Sequence, residues 1–395
     1  MKKLGFIYLI PFLFAIAFLY FFNTYLNSEL FHNNVNNNSD SSINYIENFQ
    51  ANQFYEDKFL LNFDSSKTIF MLGSSELSNS TEAIPYNFIS KNFNTKVVGV
   101  GHAGNQCFSI YSQLLANESR LKDAPIVIIL SPGWFESKSA KGTSSAIFLE
   151  YNSEWFLKTI NKNKQDTEFT AYENKRVSRL YNEFNSPNLE IKLMNFKHRS
   201  NSSFIHKTVF YPVILADNIL QNLKEKITSK RTVINSEIRE PIKLENVQIN
   251  WDSLFTSSKE EIIKNSNNNR FGINNEYYNV YIHGKTGKVE PVSEYFNQEI
   301  EDFKMLIKLL KKKKANVCFV MSPLNPIYCK NLNDLKPTIN IIETEILSNG
   351  YNYLNLFETD TLKYDKAVLF DIMHMSEYGW YKIDKFIVEN FKLTK

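Results

Sequence analysis

Runs of consecutive apolar residues, each ending near glycine, serine or proline, alternate along this chain with segments whose apolar residues recur every three or four positions. "KTIFML" (67–72), "KVVGVG" (96–101) and "PIVIILSP" (125–132) read as buried strands, and "NVCFVMSP" (316–323) and "YNYLNL" (351–356) as two more. "FSIYSQLLANESRL" (108–121), "EYFNQEIEDFKMLIKLLKKKK" (294–314), "TINIIETEILSNG" (338–350) and "YGWYKIDKFIVENFKL" (378–393) carry helical spacing. Strands without polar alternation are buried on both faces. The pattern therefore predicts an α/β fold with a mainly parallel sheet covered by helices. Between about 150 and 290 the alternation stops. That stretch is polar, rich in Asn and Lys and sprinkled with Tyr and Phe, and reads as a largely helical insertion with long loops.

One apolar run is longer than any strand. Leu4 to Phe22, "LGFIYLIPFLFAIAFLYFF", carries no charge, and roughly 20 such residues at ~1.5 Å each cross a ~30 Å hydrocarbon core. Signal peptides have shorter apolar cores followed by a small-x-small cleavage site. Here the triplet Ala15-Ile16-Ala17 lies inside the run, so a retained transmembrane anchor is expected. Lys2 and Lys3 precede it, and no Lys or Arg follows before Lys58. By the positive-inside bias, residues 1–3 form a cytoplasmic tail and the rest of the chain lies outside the cytoplasmic (inner) membrane, as a single-pass protein. Residues 23–64, opening with the Asn/Ser-rich "NSELFHNNVNNNSDSSINYIENFQ" (27–50), read as a membrane-proximal spacer, and 65–395 as the extracytoplasmic domain that carries the insertion.

Composition adds bounds. The 395 residues are 43% hydrophobic, enough for a substantial core, and the net charge of +3 is too small for a nucleic-acid footprint. The run Lys311 to Lys314 suits a solvated helix C-terminus. Cys107, Cys318 and Cys329 show no metal-like spacing, and one disulfide among them is compatible with an oxidising compartment. No metal or cofactor is implied.

Parallel α/β sheets place their sites at the carboxyl ends of the strands. Four such ends carry distinctive residues: "GSSE" (73–76), "GHAGNQ" (101–106), "SPGWF" (131–135) and "SPLNP" (322–326). "DIMHMSEYGW" (371–380) precedes the closing helix, and its Asp371 and His374 are spaced so that one turn aims both the same way. A serine on a glycine turn, a histidine base and an orienting carboxylate are the needs of nucleophilic acyl transfer. Each piece alone also has an ordinary structural reading, as loop, helix cap or core aromatic. G-x-S-x-G is absent, which argues against an α/β-hydrolase nucleophile elbow.

An early serine turn and a late D-x-x-H resemble the SGNH (GDSL-like) esterases. More closely, "LGSSEL", "GHAGNQ", "IILSPGWF", "NRFGINNEYYN" (269–279), "FVMSPLNP" and "DIMHMSEYGW" resemble, in order, the DltD family of membrane-anchored proteins that act in D-alanylation of teichoic acids. The resemblance implies an SGNH-hydrolase-like three-layer fold. Ser75 occupies the serine slot of the SGNH enzymes' G-D-S pattern, with Ser74 where their aspartate stands; His374 corresponds to the base and Asp371 to its orienter. The Ser75 N–H and the "GHAGN" loop, through Gly101, Gly104 and Asn105, would hold an oxyanion, with Trp134 near the substrate. Gly133 stands where many members carry glutamine, and the SGNH block-three asparagine has no counterpart. Implied partners are a membrane-bound O-acyltransferase (DltB-like), a cell-surface polymer and the lipid bilayer. Three readings stay open: a D-alanyl transferase to a polymer hydroxyl, an O-acetyl transferase or esterase on an exopolysaccharide, and a non-enzymatic scaffold of the acylation machinery.

Overall fold

A computed structural model describes residues 14–15, 17–22, 24–25, 44–46, 67–78, 81–116, 124–136, 139–151, 167–183, 219, 249–290 and 297–394. By internal contacts the chain divides into two units: one comprises 42–48, 63–147 and 236–395, the other 1–41, 49–62 and 148–235.

The first unit is built on one sheet. Its strands are β1 (Tyr45–Ile46), β2 (Thr68–Gly73), β3 (Lys96–Gly101), β4 (Ile126–Leu130), β5 (Val317–Met321) and β6 (Asn352–Asn355), in the spatial order β1-β3-β2-β4-β5-β6. Every pairing is parallel. Parallel strands need crossovers. These are supplied by α1 (Pro85–Asn92), α2 (Cys107–Ala116), α6 (Gln298–Lys313) and α7 (Lys336–Ser348), with α5 (Trp251–Asn265) and the closing α8 (Glu377–Phe391) packed alongside.

Side chains alternate across each strand, so each face collects every second residue. Ile69 and Met71 of β2, Val97 of β3, Val127 and Ile129 of β4 and Cys318 and Val320 of β5 share one core with Ile89, Trp380, Ile383 and Ile387 from α1 and α8. Trp251 and Leu254 of α5 pack onto it. On the other face, Phe319 meets Phe303 of α6 edge-on, with ring centroids 6.2 Å apart. Such large side chains contribute about 1.5–3 kcal/mol each on full burial, so covering both faces is the main stabilising term. The α/β class with a parallel sheet is thus present as the apolar pattern predicts.

Differences lie at the edges. The expected strand 125–132 is shorter, Ile126–Leu130, because Pro125 has no N–H to give and Pro132 opens a 3₁₀ turn, Pro132–Phe135. Strand β1 falls in a stretch read as polar spacer. It is held through its backbone, by Gly99 N–H to Asn44 O at 2.8 Å, and by the Tyr45 hydroxyl, which donates to Gly101 O at 2.7 Å. The lysine run forms the exposed last turn of α6, where Lys314 closes the helix in the left-handed region at φ 52°. Cys107 and Cys318 are buried, Cys329 is half-buried, and all three are free thiols.

In the other unit, α3 (Ser145–Tyr151) enters from residue 148 onward, α4 spans Thr167–Glu183, and Ile219 packs against Leu19 and Phe22. Of the expected anchor, the described residues 14–15 and 17–22 are helical, and Phe14, Phe18 and Phe21 are exposed. The remainder of that segment, the expected tail at 1–3 and nearly all of the expected spacer lie outside the described residues. Among the described residues no helix is long and apolar enough to cross a membrane.

Candidate active site

The serine turn is built around two glycines with close neighbours. Strand β2 ends at Gly73, in register with Gly101 of β3. A Cβ on Gly101 would stand 2.6 Å from the Gly73 carbonyl oxygen, and one on Gly73 would stand 2.6 Å from the Glu76 carboxylate. Position 101 therefore requires glycine against backbone, whereas a side chain at Gly73 would displace the Glu76 carboxylate. The chain then turns into a 3₁₀ helix, Ser75–Ser78.

The two serines of this turn have different work. The Ser74 hydroxyl donates to the His102 carbonyl at 3.1 Å and is buried, which ties the turn to the loop after β3. The Ser75 hydroxyl lies 3.3 Å from Nε2 of His374. Ser74 N–H donates to Glu76 Oε1 at 2.6 Å, and Leu77 N–H donates to Ser74 O at 3.2 Å.

His374 sits in a tight loop in which Leu369 bridges Met375 and Phe370 N–H donates to His374 O at 2.9 Å. Asp371 faces it within the same loop. Its Oδ2 is 2.7 Å from His374 Nδ1, while its Oδ1 accepts the N–H groups of Met373 and His374 at 2.8 and 2.7 Å. Burial alone would raise the Asp371 carboxyl. The hydrogen bond and charge of His374, with those two N–H groups, instead hold it below the usual aspartate value. The Asp371 hydrogen bond raises the His374 imidazole above its ordinary value against the opposing effect of burial, with the charges of Asp371 and Glu76 adding to the rise. With Nδ1–H directed at the carboxylate, Nε2 is the nitrogen left to accept from Ser75.

Neighbouring segments brace this loop. The fully buried Asn325, from the β5 end, donates its backbone N–H to Ile372 O at 3.1 Å and its side-chain Nδ2 to Phe271 O at 2.9 Å. Its Oδ1 accepts Ile327 and Tyr328 N–H at 3.0 and 3.2 Å. Asn274 N–H donates to Phe370 O at 2.8 Å, and Tyr277 rests edge-on against Phe370. "SPLNP" and "NRFGINNEYYN" thus support the histidine loop, a role that their sequence spacing did not disclose.

The remaining candidates occupy distinct places. Asn105 is fully buried, with its N–H given to His102 O at 3.0 Å and its Nδ2 to Gly73 O at 2.6 Å, so it holds the serine turn from beneath. Gly101 also packs on Gly73. Gly104 is exposed at φ +79°, with Ile147 3.0 Å from where its Cβ would stand. Trp134 is buried in the turn after β4, and Gln106 links the loops after β3 and β4 by donating to Ser139 O at 3.0 Å. Among the described residues no group of His, Cys, Asp and Glu is arranged to hold a metal ion.

Chemically, the line Ser75–His374–Asp371 offers a hydroxyl, a proton acceptor and a buried anion in hydrogen-bond reach, the arrangement that activates a nucleophile. Comparison with known proteins agrees with the motif order. The family described as "DltD protein" matches residues 45–392. Protein DltD of Staphylococcus aureus (strain NCTC 8325 / PS 47) is 22% identical over 344 residues, covering 84% of this chain and 82% of the relative. Protein DltD of Bacillus subtilis (strain 168) is 24% identical over 340 residues, 82% of each. With the match running from strand β1 through helix α8, the chain belongs to the DltD family.

Proposed function

We propose that this protein is an extracytoplasmic serine acyltransferase of SGNH-hydrolase-like architecture, acting in D-alanylation of teichoic acids, with Ser75 as nucleophile, His374 as base and Asp371 as its orienter. The observation that carries this reading is the 3.3 Å approach of Ser75 Oγ to His374 Nε2 in a chain of this family. In acylation the Ser75 proton passes to His374 Nε2 as Oγ attacks the acyl carbonyl carbon. The proton is then delivered to the leaving group, and the acyl group stays on Ser75 as an ester. A polymer hydroxyl reverses the sequence, giving its proton to His374 and taking the acyl group. The N–H groups of Ser75 and Gly104 are the proposed donors to the oxyanion, because both Ser74 and Asn105 N–H groups are committed elsewhere.

The apolar segment 4–22 is the proposed anchor, with the sheet unit outside the membrane and a DltB-like O-acyltransferase supplying the acyl group across the bilayer. Two experiments test the reading. Polymer from a Ser75→Ala strain should lack ester-linked D-alanine, and wild-type ester content there would reject the enzymatic role. A C-terminal alkaline phosphatase fusion should be active, and an active cytoplasmic reporter at that position would reject the topology.

A further inference from the structure

The residue after the nucleophile carries a buried carboxylate that the acyl-transfer scheme leaves unused. Glu76 is 6% exposed. Its Oε1 accepts Ser74 N–H at 2.6 Å, its own N–H also bonds to the carboxylate, and the missing Cβ of Gly73 leaves the space that this oxygen fills. Of the turn's N–H groups from Ser74 to Leu77, those of 74 and 76 turn to this carboxylate and that of 77 to Ser74 O. The Ser75 N–H is the donor left for a substrate. A carboxylate placed under both flanks of a nucleophile fixes the direction of the residue between them.

We propose that Glu76 is a positioning residue: its carboxyl group, gathered under the turn by the N–H groups of Ser74 and Glu76, aims Ser75 at His374. The titratable groups around this centre are Asp371 on the histidine's own loop, Glu76 from the nucleophile turn, and Tyr277 and Tyr364, which both feel the Asp371 charge. Burial raises the Glu76 carboxyl, opposed by its two N–H donors and then by the His374 charge. When His374 takes the Ser75 proton, the imidazolium feels the charge of Glu76 as a smaller addition to that of Asp371.

The inference rests on Ser75 being the nucleophile, and its test separates the two. The full chain, in detergent, is treated with a fluorophosphonate probe over a range of pH. Ser75 Oγ bonds to phosphorus, fluoride leaves, and the hydroxyl proton goes to His374 Nε2. Labelling of wild type and none of Ser75→Ala upholds the nucleophile. Glu76→Gln keeps the side-chain size and loses the charge. It is expected to lower the limiting labelling rate about 10–100-fold, as small misplacements of reacting groups do. It should also move the midpoint of the pH profile downward, with little change in probe affinity. Glu76→Asp, with the charge restored one methylene short, should keep the midpoint and lose rate. The His374 ring midpoint, followed by NMR in wild type and Glu76→Gln, reads the electrostatic part without any turnover. A wild-type rate and midpoint in Glu76→Gln overturns the proposal. If that variant does not fold, a wild-type rate or a fallen midpoint in Glu76→Asp overturns it instead. A wild-type chain that does not label rejects the nucleophile, and the NMR midpoint still decides the role of Glu76.

Discussion

Ser75 Oγ and His374 Nε2 lie 3.3 Å apart although 299 positions separate them in sequence. The parallel sheet makes the meeting possible: it delivers the serine at the end of β2, while the histidine loop, held by Asn325 from the β5 end, precedes the closing helix. The consequences below follow from that juncture.

If serine and histidine act as one unit, as proposed, their losses should not add. Ser75→Ala and His374→Ala are each expected to lower acyl transfer by ~10³-fold or more, and the double variant by scarcely more than either. Ser74→Ala, which removes the hydroxyl that donates to the His102 carbonyl, should be far milder. Ester content of the polymer in the four strains checks this; additive losses would show that the two residues work separately.

The pH profile should rise from the acid side. His374 must be neutral to accept the Ser75 proton, and its pKa lies above the ordinary 6.5, so activity should reach its midpoint above pH 6.5. Asp371→Asn removes the larger of the two influences, and should lower that midpoint and cost ~10³–10⁴-fold in rate. Probe labelling from pH 5 to 9 measures both, and a midpoint at or below 6.5 in wild type contradicts the geometry.

Asn325 offers a structural test remote from the reacting atoms. Asn325→Ala deletes the bond to Phe271 O and leaves the Ile327 N–H without its acceptor, while the Tyr328 N–H keeps the Asn325 backbone carbonyl at 3.2 Å. A loss of about 1–3 kcal/mol is expected, as for other buried groups stripped of partners. Activity should fall beyond what the lost stability explains, since the histidine loop loses its brace. Thermal unfolding and probe labelling, compared in one preparation, separate the two effects.

Asp384, on α8, is a fully buried acid, and neither carboxyl oxygen has a hydrogen-bond partner among the described residues. Burial raises its pKa well above that of a free aspartate. The sign follows: the folded state holds the proton more tightly, so this group favours folding in acid and costs stability as pH climbs through the folded value. Asp384→Leu should therefore raise thermal stability by about 1–3 kcal/mol at neutral pH, with the advantage shrinking in acid. An unchanged or lower melting temperature at pH 7.5 would falsify this account.

Much of the fold was legible because the central strands are unbroken apolar runs, which only a doubly covered sheet satisfies. Strand β1 was not, since Tyr45–Ile46 is short, sits among Asn and Ser, and pairs through its backbone. At the site, Ser75, Asp371 and His374 stand in recognisable motifs. Glu76 and Asn325 lie inside the "GSSE" and "SPLNP" motifs, which assign neither residue a role of its own. Their contacts run to groups that only the folded chain brings close, so no spacing in the sequence could signal them. Asn105 illustrates the opposite limit: its motif suggested an oxyanion donor, yet its amide is spent on the Gly73 carbonyl.

The long separation between the two halves of the site also sets a clock. A chain made at about 5–20 residues per second exposes Ser75 roughly 15–60 s before His374 has been synthesised. During that interval the serine has no base and is an ordinary surface hydroxyl. Emergence of the last helix is the arming event. On the proposed mechanism, a protein truncated anywhere before residue 374 would be inert toward acyl esters however well the preceding strands have folded.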